Sequence, residues 1–186
     1  MADPAQPQTY LVTPRDPSPA GFPDTLARVL DAAPVACVRL ATASQDEAEI
    51  ARAADALSGV AHARDIAIVI ESHLVLAERL GLDGVHLTDH ARSVRKARKA
   101  LGDDAIVGAF CGGSRHDGLT AGEAGADYVC FGPVSGTALG DGTAAPDDLF
   151  QWWSDMIEVP VVAEGGLTED RVRALAPVTD FFAIGD

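Results

Sequence analysis

The chain has 186 residues, which suits one domain, and its 47% hydrophobic content is sufficient for a sizeable core. Its 14 basic and 28 acidic residues give a net charge of −14, which argues against nucleic acid and anionic membranes as partners. No apolar run approaches the ~18 residues of a transmembrane helix. A small phosphorylated ligand is still compatible with this charge, because backbone N–H groups can hold phosphate locally.

The predicted elements alternate between strand and helix, which is typical of repeated βα units. In chain order they are strand 10–13, helix 23–32, strand 35–40, helix 44–57, strand 66–70, helix 73–80, strand 83–87, helix 92–101, strand 105–110, helix 117–124, strand 126–131, a helix with Pro146 in its first turn, strand 159–163, helix 169–175 and strand 180–184. Ser44 is the predicted N-cap of the second helix, with Glu47 as its partner in a capping box.

Eight parallel strands separated by helices predict an α/β fold of the closed (β/α)₈ TIM-barrel type. No GxGxxG motif follows the first strand, which argues against a doubly wound sheet. The sequence stops at Asp186, directly after strand eight, without the last helix that an ordinary barrel adds. We therefore expect a single barrel domain over residues 1–186, ending after strand eight.

The cysteines and the first residues bear on localisation. Cys37, Cys111 and Cys130 are scattered without CxxC spacing and lie on or beside predicted strands, which indicates buried thiols in a reducing compartment. The opening MADPAQPQ lacks the charged-then-apolar pattern of a signal peptide. The sequence thus predicts a cytoplasmic protein.

A glycine pair marks the clearest candidate ligand site. The segment VPVVAEGGLTED, residues 159–170, is an apolar strand that ends in Gly165 and Gly166, just before a predicted helix start at Thr168. Glycines there let backbone N–H groups approach an anion, and the helix N-terminus adds partial positive charge. We interpret this turn as a phosphate site, although a glycine turn required only for packing is the alternative.

In such a barrel the chemistry lies at the carboxyl ends of the strands. Candidate substrate-contacting or catalytic residues at those ends are Arg39, Ser72, His86, His116, Thr137 and Gly185. This set has one strong cation and several hydroxyls, which suits a small phosphorylated ligand. For His86 the alternative role is to orient its neighbours by hydrogen bonds, and for His116 it is to cap a helix.

Several of these segments carry a family resemblance. The chain resembles the thiamine phosphate synthase and TenI-like family, on the segments YLVT at Tyr10, VRL at Val38, GVHL at Gly84, GADYVCFGPV at Gly125 and VPVVAEGGL at Val159. The resemblance implies a transferase of thiamine biosynthesis that joins a pyrimidine-methyl diphosphate to a thiazole phosphate, using Mg²⁺ and releasing pyrophosphate. It also implies small phosphorylated substrates and leaves association into a homo-oligomer open.

The sequence departs from the family pattern at several positions. Arg39 and Thr137 are retained, but the family's strand-two glutamine and lysine are replaced by Cys37 and Ala41. Glu71 and Asp89 lie near two lost aspartates and are the candidate Mg²⁺ ligands, because Mg²⁺ prefers carboxylate oxygens. Ordinary polar groups on the barrel rim are the alternative for both.

Two further residues widen the choice of function. His116 lies near a histidine that TenI-like members use for proton transfer in a metal-free thiazole tautomerase reaction. Glu164 replaces an apolar family residue and indicates an altered substrate contact. The hypotheses are therefore a divergent thiamine phosphate synthase, a metal-free tautomerase with His116 as acid/base, and a non-catalytic thiamine-phosphate-binding barrel.

Overall fold

The computed structural model describes residues 6–18 and 20–185. Part of the MADPAQPQ stretch, residues 1–5, therefore lies outside the described residues, as do Pro19 and Asp186. Eight parallel strands close into a barrel in sequence order, with β8 paired to β1. The strands are β1 Gln8–Val12, β2 Cys37–Leu40, β3 Ala67–Glu71, β4 Gly84–Leu87, β5 Ile106–Phe110, β6 Tyr128–Phe131, β7 Val161–Ala163 and β8 Phe181–Ile184.

In the part of the chain that the structure describes, seven helices connect the strands on the outside of the barrel. They are α1 Phe22–Ala32, α2 Glu47–His62, α3 Leu74–Leu80, α4 Val94–Leu101, α5 Arg115–Glu123, α6 Asp147–Met156 and α7 Glu169–Leu175, with a short 3₁₀ turn at Ala176–Val178. The predicted (β/α)₈ barrel is confirmed. Within the described ranges no helix is both long and apolar enough to cross a membrane.

Alternation along the strands separates two hydrophobic layers. In β3, Ile68 and Ile70 face outward and pack with the helices, whereas Val69 between them belongs to the cluster inside the barrel. Successive strand side chains point to opposite faces, so both faces of these short strands are apolar. The inner cluster also contains Tyr10 and Tyr128, whose hydroxyls place polar groups in the middle of the barrel.

The amino-terminal ends of the strands are held by a repeated carboxylate contact. Asp83, Asp127 and Asp180 directly precede β4, β6 and β8, respectively. Their Oδ2 atoms accept hydrogen bonds from the backbone N–H groups of Ile68, Val107 and Val161, at 2.8, 2.7 and 2.8 Å. Each carboxylate thus joins the start of one strand to the start of its predecessor.

The predicted cap of the second helix was wrong by two residues. Asp46, not Ser44, is the N-cap of α2, and its Oδ1 accepts from the N–H groups of Ala48 and Glu49 at 2.8 and 3.1 Å. Ser44 instead donates to the side chain of Glu49 at 2.8 Å. Both residues are good cap formers, but only the Asp46 side chain accepts from N–H groups of the first turn.

Candidate active site

Two adjoining cavities open at the carboxyl ends of the strands. Cavity A has a volume of about 700 Å³ and includes His86, Phe110 and Gly132 in its lining. Cavity B has a volume of about 960 Å³ and is lined in part by Gly165 and Gly166. The residues that line both cavities are Arg15, Arg39, Glu71, Leu139 and Glu164. This shared floor is the polar centre of the site.

Arg39 on β2 is the central cation of the floor, and it is only 3% exposed. Its guanidinium forms a two-bond ion pair with the carboxylate of Glu164, which follows β7. Arg39 Nε also lies 3.2 Å from Glu71 Oε1, but without the alignment of a hydrogen bond. Burial disfavours its charge, but its neighbours, Glu164 first among them, together outweigh that effect and hold the pKa of Arg39 well above its usual value.

A chain of hydrogen bonds continues from Arg39 into the barrel. His86 Nε2 lies 3.0 Å from Arg39 NH1, and His86 Nδ1 lies 2.8 Å from the hydroxyl of Tyr128. Because arginine can only donate, Nε2 must accept and Nδ1–H must donate to Tyr128. The Tyr128 hydroxyl in turn lies 2.6 Å from that of Tyr10. The tautomer of His86 is therefore fixed by its partners.

The inner members of this chain are electrically neutral. Burial, reinforced by the nearby charge of Arg39, holds the pKa of His86 well below its usual value. Burial also raises the pKa of Tyr10 and of Tyr128 well above the usual range. His86, which is 1% exposed, therefore accepts a hydrogen bond as a neutral imidazole and orients Arg39.

The glycine turn after β7 has the geometry expected of an anion site. Gly165 and Gly166 have φ angles of +81° and +68°. A Cβ on Gly166 would overlap the Ser135 side chain, so the turn requires glycine twice over. Within residues 6–18 and 20–185, no acceptor takes the N–H groups of Gly165 and Gly166. Gly165 and Gly166 line cavity B beside the start of α7, whose N-cap is Thr168 as its sequence predicts.

The other predicted ligand contacts are only partly brought together. Thr137 and Gly185 line cavity B together with the glycine turn. Ser72, by contrast, lies outside the lining of both cavities, and its hydroxyl is 2.9 Å from that of Thr88. Gly185 is close to the backbone of Val12, which explains why a side chain is excluded there.

The two candidate Mg²⁺ ligands do not form a ready metal site. Glu71 is in contact with two guanidinium groups, those of Arg39 at 3.2 Å and Arg15 at 3.8 Å. Asp89 lies outside the lining of both cavities, and its Oδ2 accepts from Ser93 at 2.5 Å while its buried Oδ1 has no partner. The described residues contain no group of three or more His, Cys, Asp or Glu side chains arranged around a metal position. The donors therefore do not fit a site built by the protein alone.

His116 lies away from the cavities, whereas another histidine lines one of them. His116 is exposed on α5, whose N-cap is Ser114. His90 lines cavity A in a left-handed backbone conformation (φ +62°), with Nδ1 3.0 Å from Asp117 Oδ2. His90 is not among the predicted site residues, because nothing local in the sequence marks its unusual backbone angle. Arg15, a second missed residue, follows the predicted first strand and could have been found there.

Comparison with known proteins gives consistent matches over nearly the whole chain. A family model described as thiamine monophosphate synthase matches residues 9–183. The thiamine-phosphate synthase of Rhodospirillum centenum is 42% identical over 177 residues, covering 94% of this chain and 86% of the relative. The thiamine-phosphate synthase of Erythrobacter litoralis is 40% identical over 183 residues, covering 95% of this chain and 85% of the relative.

The solved structures give the same fold. The structure of thiamine phosphate pyrophosphorylase from Pyrococcus furiosus superposes with a TM-score of 0.83, covering 96% of this chain and 85% of that chain. Its sequence identity is 21%, so this likeness supports the barrel fold alone.

Proposed function

Because the chain belongs to the thiamine monophosphate synthase family, we propose that it joins a hydroxymethylpyrimidine diphosphate to a thiazole phosphate and releases pyrophosphate. In this reaction the bond between the pyrimidine methylene carbon and the diphosphate oxygen breaks, and its electron pair leaves with the diphosphate. The thiazole nitrogen then forms the new C–N bond to that carbon. The product is thiamine phosphate.

One observation carries the proposal beyond the family match. Two cavities meet over a single polar floor, and the lining of one of them includes Gly165 and Gly166, whose N–H groups have no acceptor among the described residues. A joining reaction needs two adjacent ligand positions, and a phosphorylated substrate needs an anion site in one of them. We assign the glycine turn, with Thr137 and Gly185, to a substrate phosphate.

Arg39 keeps a direct part in this proposal. Its guanidinium lines both cavities, so its positive charge can stabilise the departing diphosphate through space. His86 holds the guanidinium in position. The departure of the diphosphate would thus be assisted by an oriented positive charge.

The proposal is tested by incubating the protein with both substrates and measuring thiamine phosphate. Gly166→Ala should lower the affinity for thiazole phosphate by about tenfold or more, because the new methyl group displaces Ser135 and strains the turn. Gly59→Ala in α2 is the matched control, since an added Cβ there meets no atom within 4 Å. Absence of product from the unmodified protein would overturn the proposal.

Magnesium dependence belongs to the same assay. The family reaction leads us to expect that EDTA lowers turnover and that added Mg²⁺ restores it. Since Glu71 is occupied by two guanidinium groups and Asp89 faces Ser93, no step is assigned to the ion. Tautomerisation of thiazole phosphate that is indifferent to EDTA, without formation of thiamine phosphate, would favour the metal-free tautomerase, which the exposed position of His116 does not support.

A further inference from the structure

Glu164 is a buried carboxylate at the point where the two cavities join. It directly follows β7 and is 8% exposed. Its backbone is held on both sides, because its N–H donates to the Phe131 carbonyl and its own carbonyl accepts from Val134, each at 3.1 Å. Hydrogen bonds from Arg39 and Cys130 hold the carboxylate itself, so it has the fixed direction that a group selecting a ligand requires.

The hydrogen bonds of Glu164 leave part of its accepting capacity unused. Its carboxylate receives two hydrogen bonds from Arg39 and one from the Cys130 thiol, whose sulfur is 3.1 Å from Oε2. An ionised carboxylate has roughly four lone-pair positions. About one position therefore remains, and Glu164 lines both cavities. A ligand that carries an N–H group could complete the set.

The charges of the floor favour a donor rather than an anion beside Glu164. One buried guanidinium, that of Arg39, is shared between the carboxylates of Glu71 and Glu164. Arg15 contributes little to that balance, because its side chain is 61% exposed and 3.8 Å from Glu71. The only two lysines, Lys96 and Lys99, are on α4 and line neither cavity. The carboxylate of Glu164 is thus better suited to an N–H donor than to a phosphate oxygen.

We propose that Glu164 determines specificity by accepting a hydrogen bond from an exocyclic amine on the pyrimidine ring of the substrate. The proposal rests on the proposed function, which supplies a pyrimidine as one of the two substrates. The heterocycle then lies against Glu164 and Phe110 in cavity A, with its charged end directed away from the carboxylate. A pyrimidine with an oxo group in place of the amine would set two acceptors against each other, which a buried site rejects.

The competing explanation is that Glu164 only balances the charge of Arg39. Binding measurements distinguish the two roles, because charge balance does not depend on the substituent of the heterocycle. The probes are an aminopyrimidine alcohol without the diphosphate and its oxo analogue, each titrated calorimetrically. The unmodified protein should bind the amino compound at least about tenfold more tightly.

Glu164→Gln should abolish or reverse this preference, because an amide N–H can donate to the oxo group. Glu158→Gln, an exposed glutamate just before β7, is the matched control and should keep the original preference. A pyrimidine whose amine carries two methyl groups, and so has no N–H, should bind the unmodified protein about tenfold more weakly than the amino compound. This last comparison needs no variant and remains decisive if Glu164→Gln does not fold.

Each outcome decides the matter. The role of Glu164 would be overturned by an unchanged preference in Glu164→Gln or by equal binding of the dimethylated compound. It would also be overturned if the unmodified protein preferred the oxo compound or bound no heterocycle. If the unmodified protein shows the amino preference but makes no thiamine phosphate, the proposed function fails while heterocycle recognition by Glu164 stands. If it makes thiamine phosphate and Glu164→Gln keeps the preference, only the role of Glu164 fails.

Discussion

Carboxylates at the two ends of the barrel have different partners, which are backbone N–H groups at one end and an arginine side chain at the other. At the amino-terminal end, Asp83, Asp127 and Asp180 each accept a hydrogen bond from a strand N–H group. At the carboxyl-terminal end, Glu71 and Glu164 share the charge of one side chain, Arg39. Backbone donors are fixed by the fold itself, whereas the Arg39 pairs depend on a single substitutable residue. The amino-terminal end is therefore expected to contribute to stability alone, whereas the opposite end contributes to both stability and ligand binding.

The largest expected effect is that of Arg39→Ala, which leaves two carboxylates without their shared cation. Removal of one partner from a buried ion pair typically costs about 3–5 kcal/mol of unfolding free energy. Chemical denaturation should show a loss of that order. Arg39→Lys should recover only part of it, because an ammonium group cannot make the two-bond contact with Glu164. A loss below about 1 kcal/mol for Arg39→Ala would mean that the floor is well hydrated.

A smaller effect is expected at the other end. Asp180→Ala leaves the N–H group of Val161 without its acceptor and should cost about 1–3 kcal/mol of unfolding free energy. Activity per folded molecule should remain unchanged, since Asp180 lies at the end opposite the cavities. Asp155→Ala on the surface of α6 is the control, with a change within about 0.5 kcal/mol. Lost activity in folded Asp180→Ala would contradict the separation of the two ends.

The pH dependence of stability should identify His86 as a buried neutral imidazole. Its pKa is lowered in the folded protein by burial, so the unfolded chain takes up a proton first as the pH falls below about 6.5. The stability that His86 contributes is complete above that pH and is lost as the pH falls toward its folded pKa. The slope attributable to His86 approaches about 1.4 kcal/mol per pH unit.

Denaturation of the unmodified protein and of His86→Gln between about pH 8 and pH 5 measures this term. Burial raises the pKa of Glu71, which acts in the opposite direction, but Glu71 is present in both proteins and largely cancels. Parallel stability curves for the two proteins would show that the pKa of His86 is the same in the folded and unfolded states, contrary to a buried neutral imidazole.

The smallest effect is expected at Asp46, whose contact with backbone N–H groups is exposed to solvent, unlike the contacts at the barrel's amino-terminal end. Asp46→Ala removes an exposed cap from α2 and should cost about 1 kcal/mol, less than Asp180→Ala. Ser44→Ala should cost less still, because its hydroxyl caps no helical N–H. Thermal or chemical denaturation of the three variants provides the ranking. Equal losses of unfolding free energy for Asp46→Ala and Asp180→Ala would show that burial does not strengthen these carboxylate–backbone contacts.

Much of the fold could be predicted because most strands are short apolar runs bounded by turns. The exceptions have physical causes. β1 begins at Gln8, two residues before the predicted start, because pairing with Phe181 and Phe182 of β8 holds polar residues in the sheet. α2 continues to His62 beyond a predicted end at 57, since Ser58 and Ala61 are buried against the barrel despite the helix-breaking tendency of Gly59.

The site was less accessible to sequence reasoning. The glycine turn could be predicted from local sequence, because its positive φ angles favour glycine and the two glycines are adjacent in the chain. The pairing of Arg39 with Glu164 joins residues 125 positions apart, and it depends on the placement of β2 and β7 across the barrel. The same holds for the contact between His90 and Asp117, which brings a loop after β4 to α5.

The aspartates at the strand starts also divide the barrel into linked pairs, β3–β4, β5–β6 and β7–β8. Among the described residues no such carboxylate joins β4 to β5 or β6 to β7. A circular permutation that opens the chain between β4 and β5 would keep all three links within continuous segments. One that opens it between β5 and β6 would place Val107 and Asp127 at opposite termini, so their contact could form only after the new ends had met.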